Sequence, residues 1–427
     1  MLTFRYFDNQ YQFQHRTNIV HPTSNIQHRT SNIELHQTSY IKHPTSYIVL
    51  HRTSNPAHKL KTLFLTLRTF SATGGIEKVC RIMGKALYEE SLQNDGLLQV
   101  GSMYDKQHDA FNNPYFPAEN FLGFSINKIR FTAKMVLTGS RNNRVILSHI
   151  NLLRIGSLIK RISPRTRLIL LAHGIEVWKP LSRRKRKWMK QCDTILAVSA
   201  FTKNKIIEQH GVSQEKCIVL NNCLDPFLPL PSAREKSVSL LNRYNFSNND
   251  IIIMTLTRLR SNERYKGYDK VIEAIAFLKA KYPQIKYLLA GSYDDKEKEW
   301  VGNLIQQAGL EHLVMLPGYI EDNEIRDHFN LSDIYMMPSR GEGFGIVFIE
   351  AMYYGLPVIA GNEDGSVDAL LNGALGQLVN PGNAGEIATA ITNVVENPSS
   401  FTPNRKLLLN NFSYETYKEN LNKAIAH

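Results

Sequence analysis

Residues 334–360, IYMMPSRGEGFGIVFIEAMYYGLPVIA, carry the pattern from which the fold class follows. The apolar run 334–337 has strand length, and residues 346–354 space their apolar side chains as a helix does. Gly355 followed by Pro357 stops that helix, and 357–360 is a second apolar strand. A strand, a helix and a strand in so short a stretch form one unit of a parallel α/β sheet. Between the first strand and the helix stand Gly341, Gly343 and Gly345. Three glycines in five positions let the backbone approach a ligand, and the helix opening near Ile346 presents unpaired N–H groups and a positive dipole end. That combination suits an anion, most naturally phosphate. Glu342 in the loop and Glu350 one turn into the helix would repel phosphate, so they read as acceptors for hydroxyls at the two ends of a sugar-bearing ligand. Taken alone, such a loop is also a tight turn with a capping glutamate.

Outward from this unit the alternation continues. Strands are expected at 251–256, 286–290 and 313–316, with helices at 268–281, 297–308 and 324–330. An earlier series has strands at 60–67, 144–149, 167–172 and 194–198, a Gly74-Gly75 turn opening a helix at 76–89, and Ser199 capping a helix at 201–209. The Asn- and Pro-rich stretch 221–231 reads as a linker between the two series. The expected architecture is α/β: two doubly wound, Rossmann-like lobes, 59–225 and 226–400, facing a cleft. A C-terminal helix in 401–427 is expected to pack back toward the first lobe. In open parallel sheets ligands bind beyond the carboxyl ends of the strands. There, Arg258 ends the strand 251–256 and Lys266-Gly267 precede the next helix. An Arg fork and a Lys point charge converging on a helix terminus suit a diphosphate, whereas an isolated basic pair is more often a solvated loop.

In order, R-x7-K-G from Arg258 and E-G-F-G-I-x3-E-A-M-x2-G-x-P-V-I from Glu342 resemble the retaining glycosyltransferases of family 4, which have the GT-B fold; the resemblance covers residues 60–420. It implies transfer of a sugar from a UDP- or GDP-sugar to a hydroxyl of a glycan or lipid-linked acceptor, with retention of anomeric configuration, in cell-surface polysaccharide or glycolipid synthesis. By similarity Arg258 and Lys266 hold the donor diphosphate, Glu350 the ribose hydroxyls and Glu342 the donor sugar. Gly343, Phe344, Gly345 and Ile346 supply backbone N–H groups, and Tyr319 lies along the nucleobase. Gly74 and Gly75 resemble the turn beneath the donor phosphates, and His173 takes the place of a histidine at the donor sugar or reaction centre; Glu176, three positions on, either orients it or simply begins a helix. No metal cofactor is implied, in keeping with the lack of a D-x-D pair near the donor residues. Two departures stand out: the loop Phe70-Ser-Ala-Thr73 lengthens the approach to Gly74, and Val219-Leu-Asn-Asn-Cys-Leu-Asp225 lacks the Pro and Gly of the P-N-G-V-D found in many relatives.

Composition bounds the rest. The 427 residues are 43% hydrophobic, normal for a globular chain, and no apolar run approaches the ~18–20 residues of a membrane span. Cys80, Cys192, Cys217 and Cys223 form no C-x-x-C pair, which fits a reducing cytoplasm. Between His15 and Asn55 a unit close to H-[RPQ]-T-S-[NY]-I recurs at irregular spacing, with one apolar residue per repeat. Such a segment cannot offset its ordering entropy, so 1–58 is expected to be a disordered extension rather than a His-rich metal tether. It could even be translated repetitive DNA lying upstream of the true start. The formal charge is +13, and residues 154–190 alone carry twelve Lys/Arg and one Asp/Glu. Arg183, Arg184, Lys185, Arg186, Lys187 and Trp188 follow Ser182 as a short basic helix with an aromatic edge, suited either to an anionic membrane surface and acceptor or simply to solvent. The enzyme is accordingly expected in the cytoplasm, peripheral on the inner face of the cell membrane. A nucleic-acid-binding protein is the rival from another class, but no zinc, RRM or helix-turn-helix pattern accompanies the charge. A GT-B protein that binds a nucleotide sugar without transferring it, or an epimerase or phosphorylase, is the rival within the fold.

Overall fold

The computed structural model describes residues 59–231 and 234–426; the expected disordered repeat at 1–58 lies outside them. The first lobe contains β1 (Lys61–Thr66), α1 (Gly75–Gln93), β2 (Leu97–Ser102), β3 (Phe121–Gly123), α2 (Lys128–Gly139), β4 (Arg144–Leu147), α3 (Leu153–Ile162), β5 (Arg167–Ala172), α4 (Ile175–Trp178), α5 (Arg183–Lys190), β6 (Thr194–Ala197), α6 (Ala200–His210) and β7 (Cys217–Val219). The second contains α7 (Val238–Tyr244), β8 (Ile251–Leu256), α8 (Tyr268–Leu278), β9 (Ile285–Ala290), α9 (Asp295–Ala308), β10 (Val314–Gly318), α10 (Ile325–Leu331), β11 (Ile334–Met337), α11 (Ile346–Tyr353), β12 (Val358–Gly361), α12 (Ser366–Ala369), β13 (Gln377–Val379) and α13 (Ala384–Glu396). Two helices, α14 (Arg405–Phe412) and α15 (Tyr414–Ala426), end the chain.

Each lobe is one parallel sheet, ordered β3-β2-β1-β4-β5-β6-β7 and β10-β9-β8-β11-β12-β13. The central strands are buried on both faces, as Leu63, Phe64 and Leu65 in β1 and Ile252, Ile253 and Met254 in β8 illustrate. This is why they appear in the sequence as unbroken apolar runs. The strands that sequence patterning did not anticipate are β2, whose LLQVGS mixes polar residues into the run, and the three-residue β3, β7 and β13.

α1 and the returning α15 cover one face of the first sheet, and the core there continues through α14 into the second lobe. The ring of Phe344 meets that of Phe412 at 5.5 Å, and the Leu224 N–H donates to the Phe412 carbonyl at 2.9 Å. A buried polar staple fixes α15 to the sheet. Arg144 of β4 donates to Glu90 of α1 at 3.2 Å, to Thr62 Oγ1 of β1 at 2.9 Å and to the Ile425 carbonyl of α15 at 3.4 Å. Arg144 and Glu90 are nearly inaccessible to solvent, so neither charge tolerates the loss of the other. Arg144→Met should therefore cost about 3–5 kcal/mol in urea unfolding, whereas the exposed Arg141→Met should change stability by less than about 0.5 kcal/mol.

Candidate functional site

In each sheet the chain leaves an interior strand in one direction and later returns to its other side, so β1/β4 and β8/β11 are topological switch points. Loops leaving the carboxyl ends of such strands diverge and open a crevice. Here the crevices of the two lobes meet. A Cβ on Gly343, in the loop after β11, would lie 1.7 Å from the His173 carbonyl oxygen after β5. A Cβ on Gly174, whose φ is +139°, would lie 2.7 Å from Gly343 Cα. Glycine is required at both positions because backbone meets backbone across the cleft. Alongside, the Ala200 N–H at the start of α6 donates to Asp368 Oδ1 of α12 at 2.7 Å, so a carboxylate of one lobe caps a helix of the other.

The second lobe supplies the glycine loop. Gly345, with φ +86°, precedes α11, and no side chain caps that helix. The first-turn N–H groups are left for a ligand. The Phe344 side chain is fully buried against Phe412, so only its backbone can face a ligand. Glu342 accepts from Lys266 Nζ, and its own N–H donates to Asp364 Oδ2 at 2.7 Å. Asp364 has no solvent exposure, and burial pushes its carboxyl up to about 6. Lys266 is held in place by Gly267, where φ is +77° and a Cβ would lie 2.1 Å from the Pro338 carbonyl. Burial lowers Lys266 to about 8, which Glu263 and Asp364 oppose and Arg258 reinforces, so it remains a cation at neutral pH. Arg258 is largely exposed and pairs with Glu263 at 3.1 Å.

The first lobe supplies the opposing wall. Its β1–α1 loop is pinned by Asp105, a buried carboxylate that accepts from the Thr69 N–H at 2.6 Å, the Ser71 N–H at 3.0 Å and Ser102 Oγ at 2.7 Å. This accounts for the longer approach through 70–73: the extra backbone N–H groups have a fixed acceptor. Beyond it, Gly74 and Gly75 open α1, and Lys78 in the first turn reaches across to Glu350, which is itself buried. Burial opposes charge on Lys78, but the charge of Glu350 and its hydrogen bond outweigh that, and the pKa is raised. His173 Nε2 lies 2.7 Å from the Ser148 carbonyl, so that nitrogen carries the proton and Nδ1 is left as an acceptor. Burial pushes the imidazole down to about 4, so it is neutral in ordinary buffers. Glu176 accepts from the His173 backbone N–H at 2.6 Å. It therefore fixes the turn at the start of α4, the second of the two roles open to it from sequence, and the ring is oriented by Ser148 instead.

Of the residues singled out from sequence, Glu342, Lys266, Glu350, the 343–346 loop, Gly74, Gly75 and His173 converge on the cleft, with Arg258 at its rim. Tyr319 follows β10, at the sheet edge away from β11, and is half-exposed. The basic segment forms α5, with Ser182 Oγ accepting from the Lys185 N–H at its start. Trp188 is partly buried against the first-lobe core, so it is unavailable as an exposed aromatic edge. Lys78, Ser148, Asp105, Asp364 and Asp368 were not foreseen. Asp364 lies three residues past β12, an expected strand, so inspection of that strand end would have found it, whereas Asp105 follows β2, which patterning did not anticipate.

Fold and site together define a two-lobed α/β protein of the GT-B type, whose ligand cleft lies between two facing switch points. The chain matches the family description "Glycosyl transferases group 1" over residues 240–418 and "Glycosyltransferase Family 4" over 73–226. It belongs to the family 4 glycosyltransferases. Among similar proteins is the GDP-mannose-dependent alpha-(1-6)-phosphatidylinositol monomannoside mannosyltransferase of Mycolicibacterium smegmatis, 28% identical over 57% of this chain and 64% of that protein. Mannosylfructose-phosphate synthase of Agrobacterium fabrum is 27% identical over 43% of this chain and 41% of that protein. The chain thus spans less than two thirds of these relatives. Among solved structures, Anabaena HepE in complex with UDP superposes with a TM-score of 0.71 at 22% identity, covering 86% of this chain and all of that one. Sucrose-phosphate synthase of Thermosynechococcus elongatus gives 0.67 at 18% identity, over 86% of this chain and 98% of that one.

The depressed His173 pKa has a signed consequence. Unfolded, the ring binds a proton near pH 6.5, and folded only near 4. Its contribution to stability is therefore complete above 6.5 and is lost as pH falls toward 4. His173→Gln should lose less stability than wild type between pH 6.5 and 4 when unfolding is followed by urea titration at each pH.

Proposed function

We propose that this protein moves a sugar from a nucleoside-diphosphate sugar, UDP- or GDP-linked, to a hydroxyl of a glycan or lipid-linked acceptor, with retention of anomeric configuration. The observation that carries this reading is the meeting of Lys266 with Glu342, and of Lys78 with Glu350, beside an uncapped helix N-terminus. Two cations and two carboxylates that pair with one another across the cleft are the groups a sugar nucleotide would separate. The ammoniums would turn to the diphosphate and the carboxylates to hydroxyls. The names of the relatives agree: one uses GDP-mannose, and another was solved with UDP.

A glycosyl diphosphate is already activated, so the protein has to stabilise the departing negative charge and the electron-poor sugar carbon. Lys266, Arg258 and the N–H groups at the start of α11 would take up the first without a metal ion. Glu342 would hold the sugar against the leaving phosphate. The acceptor hydroxyl would then approach from the same face, its proton passing to the departing phosphate oxygen. His173, neutral and with Nδ1 free to accept, suits a sugar hydroxyl rather than a phosphate. The same reading puts the enzyme in the cytoplasm.

Transfer and donor hydrolysis, measured with UDP- and GDP-sugars, test the proposal. Turnover is expected with one donor class, and Glu342→Gln should reduce it at least about a hundredfold with the thermal unfolding midpoint preserved. Binding without hydrolysis or transfer would favour a sugar-nucleotide binder. Unchanged turnover in Glu342→Gln would remove Glu342 from the site.

A further inference from the structure

The face of the first lobe away from α1 is formed by α2, α3 and α5, with α3 packed against both neighbours. Residues 120–175, which supply α2 and α3, contain ten Lys/Arg and no Asp/Glu. Arg144 and Arg167 turn inward to hydrogen-bond the Ile425 carbonyl, and Lys160 pairs with Asp193. Arg130, Lys134, Arg154 and Arg161 are exposed, as are Arg183 and Arg184 of α5. Among these cations, hydrocarbon also projects into solvent. Ile129 is 85% exposed, Ile126 65%, Ile162 63% and Leu137 51%. Scattered apolar residues are ordinary on a surface, but four on one face whose exposed charges are predominantly cationic, with Asp193 already paired to Lys160, are not.

Ile126 has a second peculiarity. Its φ is +72°, after Ser125 at +49°. A β-branched residue almost never adopts that conformation, and such strain persists only where the surroundings impose it. They do here: the Ser125 N–H donates to the Asp105 carbonyl at 2.9 Å and the Ile126 N–H to the Met103 carbonyl at 3.0 Å. Asp105 is the carboxylate that also pins the β1–α1 loop. The turn follows β3, at the carboxyl end of the sheet where the cleft opens. Asn or Gly would fit this turn without strain, yet the position holds a large aliphatic side chain directed into water.

We infer that the α2–α3–α5 face docks on an anionic lipid bilayer. Ile126 and Ile129 enter the headgroup–acyl boundary, and the surrounding Lys and Arg pair with lipid phosphates. A nucleic acid would account for the charge but not for the protruding aliphatics, since bases stack on aromatic rings and gain little from isoleucine. Trp188, packed against the core, takes no part. Docking would bring the cleft rim to the membrane and make the acceptor lipid-linked. Only that last step rests on the proposed transferase activity.

The test uses the whole chain without nucleotide, cosedimented with phosphatidylcholine vesicles that contain or lack phosphatidylglycerol. Binding is expected only to the phosphatidylglycerol vesicles and should weaken with added salt. The double variant Ile126→Asn/Ile129→Ser should partition about tenfold less, with an unfolding midpoint no lower than wild type, because Asn tolerates the positive φ. Arg130→Glu/Lys134→Glu should likewise release the protein. Equal binding to neutral vesicles, no binding to anionic ones, or full binding by the isoleucine variant would overturn the inference. Retention on duplex DNA, unaffected by the isoleucine changes and without vesicle binding, would replace the membrane with nucleic acid. Donor hydrolysis without vesicles should be the same in wild type and the isoleucine variant, so failure of docking and failure of the transferase reading can be told apart.

Discussion

The two lobes touch where Gly343 and Gly174 bring main chain against main chain. With Gly343 a methyl group's distance from the His173 carbonyl, no side chain can be inserted at that point without separating the lobes. The glycine loop before α11 is thereby held against the turn after β5, and α1 is close enough for Lys78 to meet Glu350. The rest of the arrangement serves this approach. Asp368 caps α6 from the other lobe, Phe344 anchors the loop in the core through Phe412, and α15 ties the end of the chain back to the first sheet through Arg144.

Electrostatics follow from that geometry. A cleft lined by two lysines and two glutamates would carry a heavy desolvation cost if the charges stood apart. Paired as Lys266–Glu342 and Lys78–Glu350, they satisfy one another while remaining available to an incoming ligand of mixed character. Asp364 below them holds the Glu342 backbone rather than its carboxylate. The turn and the side chain are thus fixed by different partners, and the carboxylate can change partners without unfolding the loop.

Much of this was legible in the sequence, because buried parallel strands are continuous apolar runs and because the glycines, Glu342 and Glu350 sit together in one short stretch. The strand-to-helix order also gave the expectation of two lobes, and both sheets are present. What escaped notice was long-range or lacked a pattern. Lys78 and Glu350 are 272 residues apart, and nothing local marks a lysine in a first helical turn as a cross-cleft partner. Short edge strands such as β3 and β7 carry too few residues for periodicity to register. The opposite error came from Trp188: a tryptophan beside a basic run suggests an exposed anchor, yet amphipathic packing turned the ring inward, and the exposed hydrocarbon proved to be isoleucine on neighbouring elements.

If the facing switch points form a diphosphate site, the protein should distinguish a nucleoside diphosphate from its monophosphate by the charge of Lys266. Isothermal titration of UDP, UMP, GDP and GMP into the wild type and Lys266→Met tests this directly. The expected result is tighter binding of one diphosphate than of its own monophosphate, with that preference lost in Lys266→Met. Failure of every nucleotide to bind, or an equal preference in both proteins, would contradict the assignment of the cleft.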